Sequence, residues 1–136
     1  MGILWTVWPL DQKMVEWLDK LGIEHHTDTS RFPTGLEIKD ALSKLEGYDI
    51  DITANGDGGP FHAFISKRSH DEWALLIVDE YRDHAEQKLW FEKGDEKLIL
   101  RILKLLTPLC GPLALIADVG GDPIVVSRDG DLSGGI

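Results

Sequence analysis

Leu98, Ile99, Ile102, Leu105, Leu106 and Leu109, with Leu103 at the edge, recur at helical spacing and stop at Cys110-Gly111-Pro112. The spacing predicts an amphipathic helix from about Asp95 to Leu109. Asp95 and Glu96 stand at its positive end and Lys104 near its negative end, as the helix dipole prefers. Burying these apolar side chains is worth roughly 10–20 kcal/mol gross, most of it offset by chain-ordering entropy. So wide a stripe cannot stay dry on a lone helix and must cover a sheet. A strand signal follows at once in Leu113-Ala114-Leu115-Ile116-Ala117. The turn Val119-Gly120-Gly121-Asp122-Pro123 and the returning run Ile124-Val125-Val126 complete a hairpin.

The preceding residues carry the same two kinds of element. Ile3 to Trp8 read as a short strand, apolar on both faces and ended by Pro9. Met14, Val15, Leu18 and Leu21, with Trp17 beside them, place a helix from about Leu10 or Asp11 to Leu21, stopped by Gly22. Ile23 to Pro33 is polar and reads as a loop. Thr34 and Glu37 form a capping-box pair that starts a second helix, with Ile38, Ala41, Leu42 and Leu45 on its apolar face and Gly47 at its end. Tyr48, Ile50, Ile52 and Ala54 alternate with Asp49, Asp51 and Thr53, which predicts a strand with one buried and one wet face. Phe61–Ser66, Trp73–Val78 and Leu89–Phe91 follow as strands joined by modest turns. Such turns favour an antiparallel meander, because parallel strands need longer crossovers. The expected fold is α+β: an antiparallel β meander packed with about three helices, with a C-terminal helix followed by a β hairpin. Residues 1–128 are expected as one globular domain and residues 129–136 as a flexible acidic, glycine-rich tail.

Composition narrows the function classes. Of 136 residues, 24 are acidic and 14 basic, for a net charge of −10, so phosphate backbones would be repelled and nucleic-acid binding is not expected. The single cysteine, Cys110, permits no intrachain disulfide. No apolar run approaches the ~18 residues of a membrane span, and no signal-peptide pattern opens the chain, so the expectation is a cytoplasmic protein off the membrane.

Recognisable catalytic and cofactor signatures are missing. No phosphate-binding glycine motif, nucleophile elbow or zinc-binding His pair on a helix occurs. Asp51, Thr53, Asn55 and Gly56 partly follow a calcium loop, but His62 stands where a bidentate Glu is needed and the flanks read as strands. His25-His26 lack carboxylate or thiol companions at ligand spacing. Neither a catalytic residue, a metal site nor a cofactor is therefore assigned. An alternative reading, a small hydrolase-like enzyme, needs His62, Asp79 and His84 to converge in one pocket.

The five tryptophans, Trp5, Trp8, Trp17, Trp73 and Trp90, include pairs that cannot all face one interior; either helices cover both sheet faces and the indoles are core, or some indoles are exposed. Trp73 follows Asp71 and Glu72, and Trp90 alternates with Leu89 and Phe91. Exposed indoles among acids make anchors for a basic protein, with the charge steering the approach. The candidate contact residues are Asp49, Asp51, Asp71, Glu72, Trp73 and Trp90. A homodimer through an open sheet edge is a further possibility.

Phe91-Glu92-Lys93-Gly94, the helix after it, Cys110-Gly111-Pro112 and Asp118-x-Gly120-Gly121-x-Pro123 cover about the last third of the chain. Together with helices around an antiparallel sheet, this run resembles the small acidic immunity proteins of bacterial toxin systems. The resemblance implies a protein that plugs a toxin's active site. It transfers no site residue.

Overall fold

The computed structural model describes residues 3–25, 30–54, 58–67, 72–127 and 132–133. Its elements run β1 (Trp5–Pro9), α1 (Gln12–Leu21), α2 (Gly35–Ser43), β2 (Asp49–Ala54), β3 (Phe61–Lys67) and β4 (Glu72–Val78). They continue with β5 (Leu89–Gly94), α3 (Glu96–Cys110), β6 (Leu113–Ala117), β7 (Ile124–Val126) and β8 (Leu132–Ser133). The fold is α+β, and β2 to β5 form the expected meander. All strands join one antiparallel sheet in the order β2-β3-β4-β5-β1-β6-β7-β8. The N-terminal strand thus lies in the middle, pairing Trp5 with Phe91 on one side and with Ala117 on the other. Leu132–Ser133, within the segment that composition marks as a tail, pair with β7.

Local chemistry fixes the helix ends. The Asp11 carboxylate accepts from the Met14 N–H at the start of α1, and Gly22 ends that helix at φ 72°. At α2 the full capping box is present: Thr34 Oγ1 accepts from the Glu37 N–H, and Glu37 Oε1 accepts from the Thr34 N–H. Asp95 precedes α3 but accepts from the Trp73 N–H at 3.2 Å instead of capping its own helix, and so ties α3 to β4.

The main core lies between one sheet face and α2 with α3. Phe61, Ala63 and Ile65 from β3, Leu76 from β4 and Phe91 from β5 meet Ile38, Ala41 and Leu42 of α2 and Leu98, Ile99, Ile102 and Leu106 of α3. Leu103, expected at the stripe's edge, is fully buried, whereas Leu105 and Leu109 are only half-buried. The helix touches α2 as well as β4, β5 and β7, so its buried arc is wider than one sheet face requires. The apolar face of β2 is wetter than its alternation predicts: Ile50 is half-buried and Ile52 exposed, because β2 is the edge strand.

The opposite face is covered differently. Met14 and Leu18 of α1 pack on Ala114 and Val125, at the β6–β7 end. Leu21, placed on the apolar side of this helix by its spacing, is exposed, as is Trp17. Helix α1 is short, and only its central turns reach the sheet.

Candidate functional site

Strand alternation sorts the candidate residues by face. On β3, Phe61, Ala63 and Ile65 enter the core, so His62, Phe64 and Ser66 stand on the other side. Their cross-strand partners are Thr53, Asp51 and Asp49 on β2 and Ile77, Leu75 and Trp73 on β4. Ile77 pairs with Trp90 on β5, and Trp90 with Thr6 on β1. The rows build a continuous face containing Asp49, Asp51, Phe64, Trp73, Leu75, Ile77 and Trp90. Phe64 is 42% exposed and Trp8, further along, 40%. Trp73, Leu75 and Trp90 are half-buried. Phe64 and Trp73 touch, with ring centroids 5.7 Å apart. Asp49 and Asp51 are exposed and form no ion pair among the described residues.

This face brings together four of the six candidates: Asp49, Asp51, Trp73 and Trp90. It does not include Glu72. That residue pairs with Lys67 and stands on the core side of the sheet, where its Oε2 accepts from the Tyr48 hydroxyl at 3.0 Å. Burial first, then the Glu72 contact, pushes the Tyr48 phenol up from its ordinary range. Lys67 lies over the same ring at 5.2 Å, and Arg101 reaches the hydroxyl at 3.5 Å. Glu72 is therefore a structural acceptor at the sheet's corner. Asp71 lies outside the described residues. Phe64, Leu75 and Ile77 are the members that the sequence reading left out. The alternation of β3 against Phe61, Ala63 and Ile65 was the signal that would have found Phe64.

The catalytic alternative finds no support in contacts. His62 is exposed on the open face, Asp79 and His84 are exposed beyond β4, and no hydrogen bond or ion pair joins them among the described residues. Among those residues, no group of three or more His, Cys, Asp or Glu side chains is placed to hold a metal ion. His25 meets Asp19 at 2.8 Å, and His26 lies outside the described residues. Cys110 is buried, and burial, with Glu37 adding to it, pushes its thiol up to about 12.

A second feature opens at the margin of the same face. Strand β1 pairs with β6 along its whole length, but its pairing with β5 ends at Thr6↔Trp90. Beyond that point the segment before α2 takes over beside β5. The Gln87 N–H donates to the Pro33 carbonyl, Thr34 bridges to Glu86, and the Phe32 N–H donates to Glu86 Oε1. The divergence leaves a cleft of about 190 Å³ lined by Leu4, Thr6, Val7, Trp8, Phe32, Lys88, Leu89 and Trp90. Trp8 and Phe32 meet across it at 6.1 Å, and Trp8 Nε1 donates to Thr6 Oγ1.

No helix among the described residues is long and apolar enough to cross a membrane. Comparisons of the chain with protein-family models, with curated proteins and with solved structures found no match. The chemistry of both features is accordingly read from their own residues.

Proposed function

We propose that this protein is a protein-binding module, and that the β2–β5 part of the sheet face opposite α2 and α3, which no described helix covers, holds a basic partner. The observation that carries the reading is the placement of Phe64, Trp73, Leu75 and Trp90 on one face that no described helix covers, edged by Asp49 and Asp51, which form no ion pair among the described residues. Aromatic residues supply most of the energy of protein contacts when they are desolvated in a central patch. Carboxylates at the rim add steering toward a cationic surface. A second copy of the chain fits less well, because an isologous contact would bring a surface of net charge −10 against itself. The most specific form of the proposal is an immunity-type inhibitor of a basic bacterial toxin.

The test compares the full chain with the double variant Phe64→Ser/Trp73→Ala, each immobilised and exposed at low ionic strength to an extract of the native host. The expected result is a basic protein retained by the wild type, released by salt and lost from the variant. Retention of nothing basic, or equal retention by both chains, would sink the proposal.

A further inference from the structure

The cleft between β1 and β5 calls for a smaller occupant than a protein surface. Cavities of roughly 150 Å³ lined by apolar side chains bind benzene. At about 190 Å³, this one has room for one or two fused rings. Three of its walls are aromatic: Trp8, Phe32 and Trp90. Offset or edge-on contact with such walls favours a flat ring over an alkyl chain.

The polar groups of the lining say what the other end of the occupant must be. Thr6 Oγ1 already accepts from Trp8 Nε1 and lies 3.4 Å from the Ile116 carbonyl. Two lining side chains keep donors without a protein partner among the described residues: the Lys88 ammonium and the Trp90 indole N–H. Both are donors, and the one side-chain acceptor of the lining, Thr6 Oγ1, is already engaged by Trp8. The Glu86 carboxylate accepts from the Phe32 N–H at 3.1 Å and that of Asp118 from the Leu4 N–H, and neither forms an ion pair with Lys88 among the described residues. Lys88 thus lines an apolar slot with an exposed side chain that forms no ion pair among the described residues, in a protein with ten more acids than bases.

We propose that the cleft binds a small aromatic carboxylate, its one or two rings between Trp8, Phe32 and Trp90 and its carboxylate toward Lys88. The site is formed by the divergence of β1 from β5 and does not depend on the partner-binding reading, although Trp90 borders both surfaces.

The test uses the isotope-labelled full chain, the indole N–H signals of Trp8 and Trp90, and three probes of one shape: 2-naphthoate, 2-naphthalenemethanol and 2-naphthylmethylammonium. The expected result is saturable movement of the Trp8 and Trp90 signals by naphthoate, with a dissociation constant below about 1 mM. At about 150 mM salt the alcohol should bind about fivefold more weakly and the ammonium more weakly still. Lys88→Gln should erase the advantage of the carboxylate while leaving the alcohol unchanged. Trp8→Ala should weaken all three by about tenfold. Should Trp8→Ala melt early, Leu4→Trp, which fills the slot from its lining, gives the same reading. The proposal is overturned if naphthoate produces no saturation by about 5 mM, if the three probes bind alike, or if Lys88→Gln leaves their order unchanged. Movement confined to the Trp73 indole signal would place binding on the open face and would equally overturn it.

Discussion

Arg31 and Glu37 form a two-pronged ion pair, Nη1 to Oε1 at 2.7 Å and Nη2 to Oε2 at 2.9 Å, that joins two helices from opposite ends. The Arg31 backbone N–H donates to the Cys110 carbonyl and its Nη2 to the Leu109 carbonyl, where α3 runs out of internal donors. Glu37 sits in the first turn of α2 and closes the capping box with Thr34. The pair therefore holds the segment that displaces β1 from β5, and with it the wall of the cleft.

The Arg31 hydrogen bonds are the largest influence holding the Glu37 carboxyl below its ordinary range. Burial opposes them, and the Thr34 N–H adds to them. A carboxylate depressed in the folded chain stabilises fully above its unfolded value, and the benefit is lost as pH falls through the folded value. Glu37→Gln keeps an oxygen for the Thr34 N–H and removes only the charge. Arg31 is 42% exposed, so solvent screening limits the loss to about 1 kcal/mol near pH 7. Urea unfolding repeated near neutrality and in acid, below the ordinary carboxylate range, should show that gap closing as wild-type Glu37 becomes protonated. A gap of equal size at both pH values would show that the charge is not what stabilises this junction.

Gly35, the first residue of α2, is expected to tolerate no side chain. A Cβ there would lie 2.3 Å from the Arg82 carbonyl oxygen and 2.7 Å from the Tyr81 ring. Neither neighbour yields easily: the Arg82 oxygen accepts from the Gly35 N–H, and the Tyr81 ring stacks on Phe61 at 4.8 Å. Gly35→Ala should cost about 3 kcal/mol through overpacking against backbone. Gly47→Ala meets no atom within 4 Å and loses only its favourable left-handed geometry, at φ 81°, for about 1 kcal/mol. Thermal melts of the two variants should differ in that order; a milder effect at Gly35 would contradict the packing of α2 against the loop after β4.

Cys110 should be chemically silent in the native protein. It is 5% exposed, and burial holds its thiol at about 12, so almost no thiolate exists near neutrality. Iodoacetamide at about pH 8 should label it only as urea unfolds the chain. Rapid labelling without denaturant would mean that the α3 C-terminus opens locally.

Much of the architecture could be read from the chain because its signals are local. The Thr34–Glu37 box, the stop at Gly22 and the alternation around β3 each lie within a few residues. The sheet order could not be read, because β1 meets partners more than eighty residues away on both sides. Its apolar character on both faces was the trace of that central position. The cleft was hidden for the same reason: it arises where residues 32–34 meet residues 86–87. Glu72 is a different case. Grouping it with Trp73 as adjacent contact residues overlooked the two-residue period of β4, which sends neighbours to opposite faces.

Phe61 and Phe64 turn that period into a measurement. Both are on β3, three residues apart, and so on opposite faces: Phe61 is fully buried against Tyr81, and Phe64 lies on the open face beside Trp73. Phe61→Ala should cost about 3–5 kcal/mol, as loss of a buried ring does. Phe64→Ala should cost about 1 kcal/mol or less, because its ring is already in contact with water. If the open face is a docking surface, the order reverses in binding: Phe64→Ala should weaken a partner by about 2 kcal/mol or more while barely moving the melting temperature. Denaturation and affinity measured on the same two proteins separate these effects. A stability loss at Phe64 as large as that at Phe61 would mean that its face is covered in solution, and would remove the surface on which partner binding was argued.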